Sequence, residues 1–352
     1  MSIELLRRLS NAPGVSGFED AVQEIVRERL AAVCDEVHGD RMGNVIGVRR
    51  ASGRVPDAGR ATRVVVAAHA DEIGMMVKSI DAEGYVRPHP LGDLHPPSLV
   101  SQRVVIHGRE PVQGVVVPRV PNGLPASPKS LEVQPLDEMV IDVGLSPGDV
   151  HRLVSVGDPI TFAQEFGVLN EDVYTGRNFD DRIGTYCLLE AMSRLGETAV
   201  DVYAVSSVQE EIGIRGMVPA AHAIEAEIGI ALDGSLCLDP YSRPHDQTTV
   251  MGAGAGIYVI DNRTVGSPRL VAFLFDLADR HGIPAQPNIG GGTDAEAIQR
   301  THTGALATTV GAPVRYMHST VQLCHRDDIE ATIELLRVFL EHAHELDSEV
   351  ED

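Results

Sequence analysis

Two periodicities alternate along this chain. Apolar positions at helical spacing predict helices, and short apolar runs rich in β-branched residues predict strands. The run 63–68 (RVVVAA) is almost entirely apolar, which is typical of a strand buried on both faces of a parallel sheet. We expect helices at 182–195, 269–281 and 327–346, and strands at 44–48, 63–68, 201–208, 257–260 and 307–310, with a further strand ending at Asp233. This alternation predicts an α/β domain.

The N-terminal part carries a helix-start signal. Ser16 and Glu19 have the spacing of a capping box, in which the two side chains cap the first turn of a helix. The apolar positions Val22, Val26 and Leu30 follow at helical intervals. The spacing therefore predicts a capped helix just after this pair.

The segment 73–166 has a different pattern. Short β-like runs at 104–108, 114–118 and 139–144 alternate with turns rich in proline and glycine, and helical periodicity is missing. Many short strands with frequent turn signals predict a small β-barrel or sandwich. We therefore expect an α/β domain made of 1–72 and 167–352, interrupted by an inserted β domain at 73–166.

Composition narrows the class of protein. The 352 residues include 29 Lys and Arg against 51 Asp and Glu, a formal net charge of −22, with 43% hydrophobic residues. That fraction excludes wholesale disorder, and the negative field disfavours nucleic acid and anionic membranes as partners. The four cysteines form no CxxC pair, and no apolar run approaches a membrane span or a signal peptide. We expect a cytoplasmic protein.

Polar residues cluster after the predicted strands, where ligands bind in α/β sheets. They are His69 and Asp71 after 63–68, Glu210 and Glu211 after 201–208, Asp233, the pair Asp180 and Asp181 opening a helix, and His318 after 307–310. Imidazoles and carboxylates together are ligands of zinc, cobalt or manganese. Of two adjacent glutamates, one can ligate while the other faces a bound water as general base. From the residues alone, a metal site and a solvated acidic surface both remain open.

The motifs in order resemble those of the M42 metallo-aminopeptidases, also called TET or deblocking aminopeptidases. The resemblance runs over most of the chain, and neither His-x-Asp nor Glu-Glu alone would carry it. The matching stretches are SNAPGVSGFE at 10–19, HADEIG at 69–74, NFDDR at 178–182, VQEEIG at 208–213, ALD at 231–233, GGTDA at 291–295 and RYMHS at 315–319.

The resemblance implies a phosphopeptidase-like α/β exopeptidase core with an inserted PDZ-like dimerisation domain. It also implies two divalent cations per subunit, zinc or cobalt, peptide substrates with a free N-terminus, and a homo-dodecamer built from dimers. The site roles it implies are Asp180, rather than Asp181, as the bridging ligand, His69 and Asp233 for one ion, Glu211 and His318 for the other, Glu210 as general base, and Asp71 as the partner that orients His69.

Alternative functions remain at this point. Some relatives are labelled endoglucanase, and a glycoside hydrolase would use two carboxylates ~5–9.5 Å apart. Sugar clefts are commonly lined by aromatics, whereas this chain has no Trp and 4% aromatic residues. An N-acyl amino acid amidohydrolase is chemically adjacent, and a binding protein that uses the inserted domain is a non-enzymatic possibility. The side-chain preference is left open by the sequence.

Overall fold

The computed structural model of this protein describes residues 3–52, 60–118, 135–239 and 248–346. Within these ranges, a mixed sheet of eight strands forms the centre of the α/β part. Its strands, in order across the sheet, are β1 (Glu36–Gly39), β2 (Val45–Arg49), β12 (Asp201–Ser207), β3 (Arg63–His69), β13 (Ile228–Leu232), β17 (Leu306–Gly311), β15 (Ala255–Asp261) and β16 (Ala285–Gly290). The central strands β12, β3, β13 and β17 are parallel, so their carboxyl ends share one edge.

Helices cover both faces of this sheet. Val64 and Val66 of β3 pack into the larger core, under the helices Phe179–Arg194 and Arg326–His342. Val65 and Ala67 pack into a separate core, under the helices Met217–Ile224 and Ala295–Gln299. The prediction of a strand buried on both faces is therefore confirmed. The helices of the α/β part are α1 (Ile3–Asn11), α2 (Asp20–Ala31), α4 (Phe179–Arg194), α5 (Met217–Ile224), α6 (Pro268–His281), α7 (Ala295–Gln299) and α8 (Arg326–His342).

A closed antiparallel barrel occupies the middle of the chain. Apolar side chains that point inward, among them Met75, Val104, Ile106 and Ile160, form a core of its own. The strands that form the barrel, in order around it, are β4 (Gly74–Ile80), β5 (Val86–Leu91), β8 (Met139–Asp142), β7 (Pro111–Pro118), β6 (Arg103–His107) and β9 (Pro159–Phe162). The same segment contains the helix α3 (Pro147–Leu153). The expected α/β core with a small β-barrel is confirmed. Part of the inserted segment, 119–134, lies outside the described residues.

A second sheet, of short strands, was not predicted from the sequence. Its described strands, in order, are β10 (Gly167–Asn170), β11 (Val173–Gly176), β19 (Gln322–His325), β18 (Pro313–Arg315) and β14 (Ser235–Cys237). His318 lies in the turn between β18 and β19, so it does not directly follow the strand at 307–310 as expected. The sheet brings this turn beside the start of α4.

The capping-box prediction is wrong. Helix α2 begins at Asp20 with Glu19 at the N-cap, and no side chain caps it. The Ser16 hydroxyl instead donates to Asp71, and the Glu19 carboxylate accepts the amides of Gly17 and Gln209. Long-range partners therefore compete successfully with the local cap. In the described part of the chain, no helix has the length and apolar composition needed to cross a bilayer.

Candidate metal centre

The predicted site residues meet at the carboxyl edge of the central strands. His69 is the last residue of β3, Asp233 follows β13, and the loop after β12 carries Glu210 and Glu211. The parallel register aligns Ser207 with His69 and Leu232 with Ala68, so these side chains start from neighbouring positions. Asp180, at the start of α4, reaches the same point.

The ligand atoms form two groups that share one carboxylate. The first group contains His69, Asp180 and Asp233, and the second contains Asp180, Glu211 and His318; within each, the atoms lie within 4.8 Å of one another. Asp180 Oδ1 is 3.1 Å from His69 Nε2, whereas Asp180 Oδ2 is 3.1 Å from His318 Nε2. The two oxygens of Asp180 therefore face different groups.

The adjacent Asp181 has different partners. Its carboxylate accepts the backbone N–H groups of His69 at 3.2 Å and Gly184 at 3.0 Å. It is fully buried, and burial raises its pKa well above the usual value. The peptide bond that joins it to Asp180 is cis. Asp181 belongs to neither of the two candidate ligand groups.

Asp71 lies behind His69 and is completely buried. Its Oδ1 is 3.3 Å from His69 Nδ1, and its backbone carbonyl is 3.1 Å from the same nitrogen. Its carboxylate also accepts the backbone amides of Glu210 and Glu211 and the hydroxyl of Ser16. Burial would raise the pKa of Asp71, but its contacts with His69 and Ser16 lower it, so it is an ionised acceptor.

Glu210 reaches the first group without joining it. Its Oε2 is 4.0 Å from His69 Nε2. Burial raises the pKa of Glu210 well above the usual value, and the nearby carboxylates of Asp233 and Asp294 add to the shift. A carboxyl group whose pKa is raised in this way is suited to accept and release a proton.

The donor set fits divalent cations. Burial and the Asp180 carboxylate raise the pKa of both Glu211 and Asp233. Oε1 of Glu211 is buried and has no hydrogen-bond partner among the residues that the structure describes. Burial would lower the pKa of His318, but hydrogen bonds to Asp180 and Glu211 raise it to about 11. The cluster therefore needs positive charge, and its mixed nitrogen and oxygen donors are those that zinc or cobalt accepts.

A cavity of about 560 Å³ opens over the cluster. Glu210, Tyr258 and Arg263 line it, together with the loop 291–293. Arg263 and Tyr258, which line this cavity, were not predicted as site residues, because no local sequence pattern distinguishes them.

Other supporting residues were also missed. The Asp180 N–H donates a hydrogen bond to the Gln322 side chain. In a buried network beside the site, the Glu72 carboxylate accepts hydrogen bonds from the side chains of Arg177, Asn178 and Arg182. Asn178 and Arg182 stand in the NFDDR motif, which is the signal that could have identified them.

Comparison with known proteins gives the family. The family model of the M42 glutamyl aminopeptidases matches residues 43–335, most of the chain. A lysyl aminopeptidase of Pyrococcus furiosus is 34% identical, over 98% of this chain and 98% of its own length. The chain belongs to the M42 peptidase family. As an M42 member it is an aminopeptidase, hence a hydrolase, and the family implies divalent metal ions.

Solved structures agree with this M42 assignment. An aminopeptidase from the archaeon Desulfurococcus kamchatkensis superposes with a TM-score of 0.92 at 32% identity, covering 99% of this chain and 98% of the other. The TET1 peptidase of Pyrococcus horikoshii, described as assembling into a tetrahedron or a large octahedral shell, superposes with a TM-score of 0.85 at 28% identity, covering 96% and 98%.

Proposed function

We propose that this chain is a dinuclear aminopeptidase that removes N-terminal residues from peptides, with Glu210 as the general base. The observation that carries the proposal is the shared carboxylate, since Asp180 offers one oxygen to each of two ligand groups. His69 and Asp233 would complete one site, and Glu211 and His318 the other.

Two divalent cations held there, zinc or cobalt, would polarise the scissile carbonyl and lower the pKa of the attacking water. Glu210 would take the proton of that water on its carboxylate and pass it to the leaving amine. Asp71 would keep His69 in one orientation by accepting from its Nδ1, and would fix the backbone of Glu210.

The cavity supports a preference for one class of N-terminal side chain. Arg263 lines it, and the stem of this arginine lies against Gly292, where an added Cβ would come 2.4 Å from Arg263 Cδ. Glu296 compensates part of its charge, with Nη1 and Oε2 3.3 Å apart. We propose that this cation favours peptides that begin with an acidic residue.

A glycoside hydrolase is not favoured. The aromatic side chain in the described lining of the cavity is Tyr258, so a stacked sugar platform lacks support. The buried His69 and the half-buried His318 would belong to a metal set that a two-carboxylate glycosidase does not need. An acyl-amino-acid hydrolase would differ in accepting substrates without a free N-terminus.

Hydrolysis of aminoacyl-nitroanilides tests the function. We expect metal-loaded protein to release nitroaniline from a panel of Leu, Lys, Glu, Asp and Ala derivatives, and chelator-stripped protein to release none. Blocking the α-amine by acetylation should abolish release. Equal release from blocked substrates would reassign the chain as a deacylase, and activity that survives the chelator would reject the metal mechanism.

The Glu210→Gln variant tests the general base. It keeps the shape of the side chain and removes the proton acceptor, so we expect kcat to fall by about 10²–10⁴-fold. Metal content, measured by elemental analysis, should stay at the level of the unmodified protein. Near-normal turnover in this variant would reject Glu210 as the base.

We further propose that the protein acts in the cytoplasm as a homo-dodecamer built from dimers, with the inserted β domain, 73–166, at the dimer contact. The assembly described for the TET1 peptidase supports a large homo-oligomer, and the four cysteines, all unpaired, are compatible with a reducing compartment. Light scattering of the intact chain, and of a variant with charged residues introduced on the barrel, would test the assembly.

A further inference from the structure

The loop that carries the general base has an unusual set of hydrogen bonds. Four successive backbone amides, those of Val208, Gln209, Glu210 and Glu211, all donate to side-chain oxygens. A strand or helix would satisfy such amides with backbone carbonyls. The carbonyls at 208–210 accept backbone amides from 213–216, so the accepting side chains hold the N–H side of this loop and backbone bonds hold its carbonyl side.

Three side chains from distant parts of the sequence are the acceptors. Asn44 Oδ1 accepts the Val208 N–H at 3.0 Å, and Glu19 Oε1 accepts the Gln209 N–H at 3.1 Å. The two oxygens of Asp71 accept the N–H groups of Glu210 and Glu211 at 2.9 and 3.2 Å. Asp71 is already part of the proposed mechanism. Glu19 lies outside it, and is 6% exposed at the start of α2.

The amide held by Glu19 is the one whose backbone is strained. Gln209 has a φ of 57°, in the left-handed region that is strained for a residue with a Cβ. It immediately precedes Glu210, so its backbone angles set where the Glu210 side chain begins. The same oxygen, Glu19 Oε1, also accepts the Gly17 N–H at 2.7 Å, which fixes the carboxylate in place.

We propose that Glu19 is a positioning residue of the peptidase reaction: its Oε1 holds the Gln209 backbone in the left-handed conformation that aims Glu210 at the ligand cluster. This inference rests on the proposed function of Glu210. The bond requires an acceptor oxygen rather than a charge. Burial and the nearby Asp71 carboxylate raise the pKa of Glu19 to about 7, so a neutral side chain is tolerated at this position.

The test compares two substitutions at this position with a matched control. Glu19→Met keeps the length of the side chain and removes the acceptor, whereas Glu19→Gln keeps the acceptor oxygen. Glu24→Met, on the exposed face of α2, controls for losing a glutamate from the same helix. Steady-state kinetics on the best nitroanilide, circular dichroism and calorimetric metal affinity are measured for each.

We expect kcat of Glu19→Met to fall about 10- to 100-fold with KM within about twofold, because the base is displaced while the ligand groups remain. Glu19→Gln should retain most of kcat, Glu24→Met should match the unmodified protein, and metal affinity should stay within about twofold in all three. A merely structural role would instead lower metal affinity and stability together.

Two results would overturn the inference: kcat of Glu19→Met equal to that of Glu24→Met, or a loss in Glu19→Gln as large as in Glu19→Met. If Glu19→Met does not fold, Glu19→Asp, one methylene shorter, takes its place, and unchanged kcat there rejects the inference. An unmodified protein that binds metal but cleaves no nitroanilide fails the proposed function, and the role of Glu19 with it.

Discussion

Replacing Arg182 with methionine should strongly destabilise the protein. This arginine is completely buried, yet it is charged, and burial lowers its pKa to about 10. Its guanidinium donates to the carbonyls of Leu9, Ala12 and Ala70 and lies 3.4 Å from Glu72 Oε1. It therefore ties the end of α1 to the segment that follows β3.

The expected loss follows from the partners that remain. In the variant, the Ala12 carbonyl still accepts a hydrogen bond from Arg177, and the Glu72 carboxylate still accepts from Arg177 and Asn178. The carbonyls of Leu9 and Ala70, in contrast, lose the hydrogen bonds that Arg182 donates. Each buried carbonyl left unpaired costs about 1–3 kcal/mol. Removing one partner from a buried ionic network costs about 3–5 kcal/mol in measured cases, and we expect Arg182→Met to lie in that range.

The assay is urea unfolding followed by circular dichroism. Both proteins should be compared in chelator and at one protein concentration, because metal binding and assembly each stabilise the native state. Arg280→Met is the matched control: this arginine is 41% exposed and pairs with Asp276 and Glu345, so its loss should cost less than about 1 kcal/mol. A free energy of unfolding that falls by less than about 1 kcal/mol in Arg182→Met would refute the reasoning.

Two further predictions concern the cluster and the cavity. Asp180→Asn should lose both cations, while Asp233→Asn should lose one, because the Asp180 carboxylate is shared by both ligand groups and the Asp233 carboxylate is not. Metal content per chain after dialysis distinguishes the two variants, and equal losses would contradict the bridging role. Arg263→Gln should lower kcat/KM for the Glu nitroanilide about tenfold and leave the Leu nitroanilide within about twofold, and a uniform change would remove Arg263 as a specificity residue.

The sequence predicted the parts of this molecule that carry a local signal. Helices cover both faces of β3, and the run 63–68 is accordingly apolar at nearly every position, which made the strand predictable. The change to a polar residue at His69 coincides with the end of that strand. The polar residues after β12 and β13 could be found in the same way, since parallel strands bring their carboxyl ends to one edge. The assignment of separate roles to Asp180 and Asp181 came from the family resemblance.

The remainder lacked any local signal. Strands β14 and β18 have three residues each, too few for an alternating pattern, and their pairing joins segments far apart in the chain. Ser16 and Glu19 did have a local signal, but it predicted the wrong contact. A capping box competes with other hydrogen-bond partners. Here Ser16 bonds to the buried Asp71 and Glu19 to the amide of Gln209, and local spacing cannot reveal either contact.

The adjacency of Glu210 and Glu211 explains why the site needs such support. Two neighbouring side chains of an extended strand point to opposite faces, so a base and a ligand can serve one cluster only where the strand has ended. Ending the strand leaves the amides of the loop without backbone partners, and buried amides must be satisfied. Asn44, Glu19 and Asp71 satisfy them from three separate segments. The position of Glu210, the proposed base, is therefore set by tertiary contacts, and substitutions far from the cavity should change kcat through this loop.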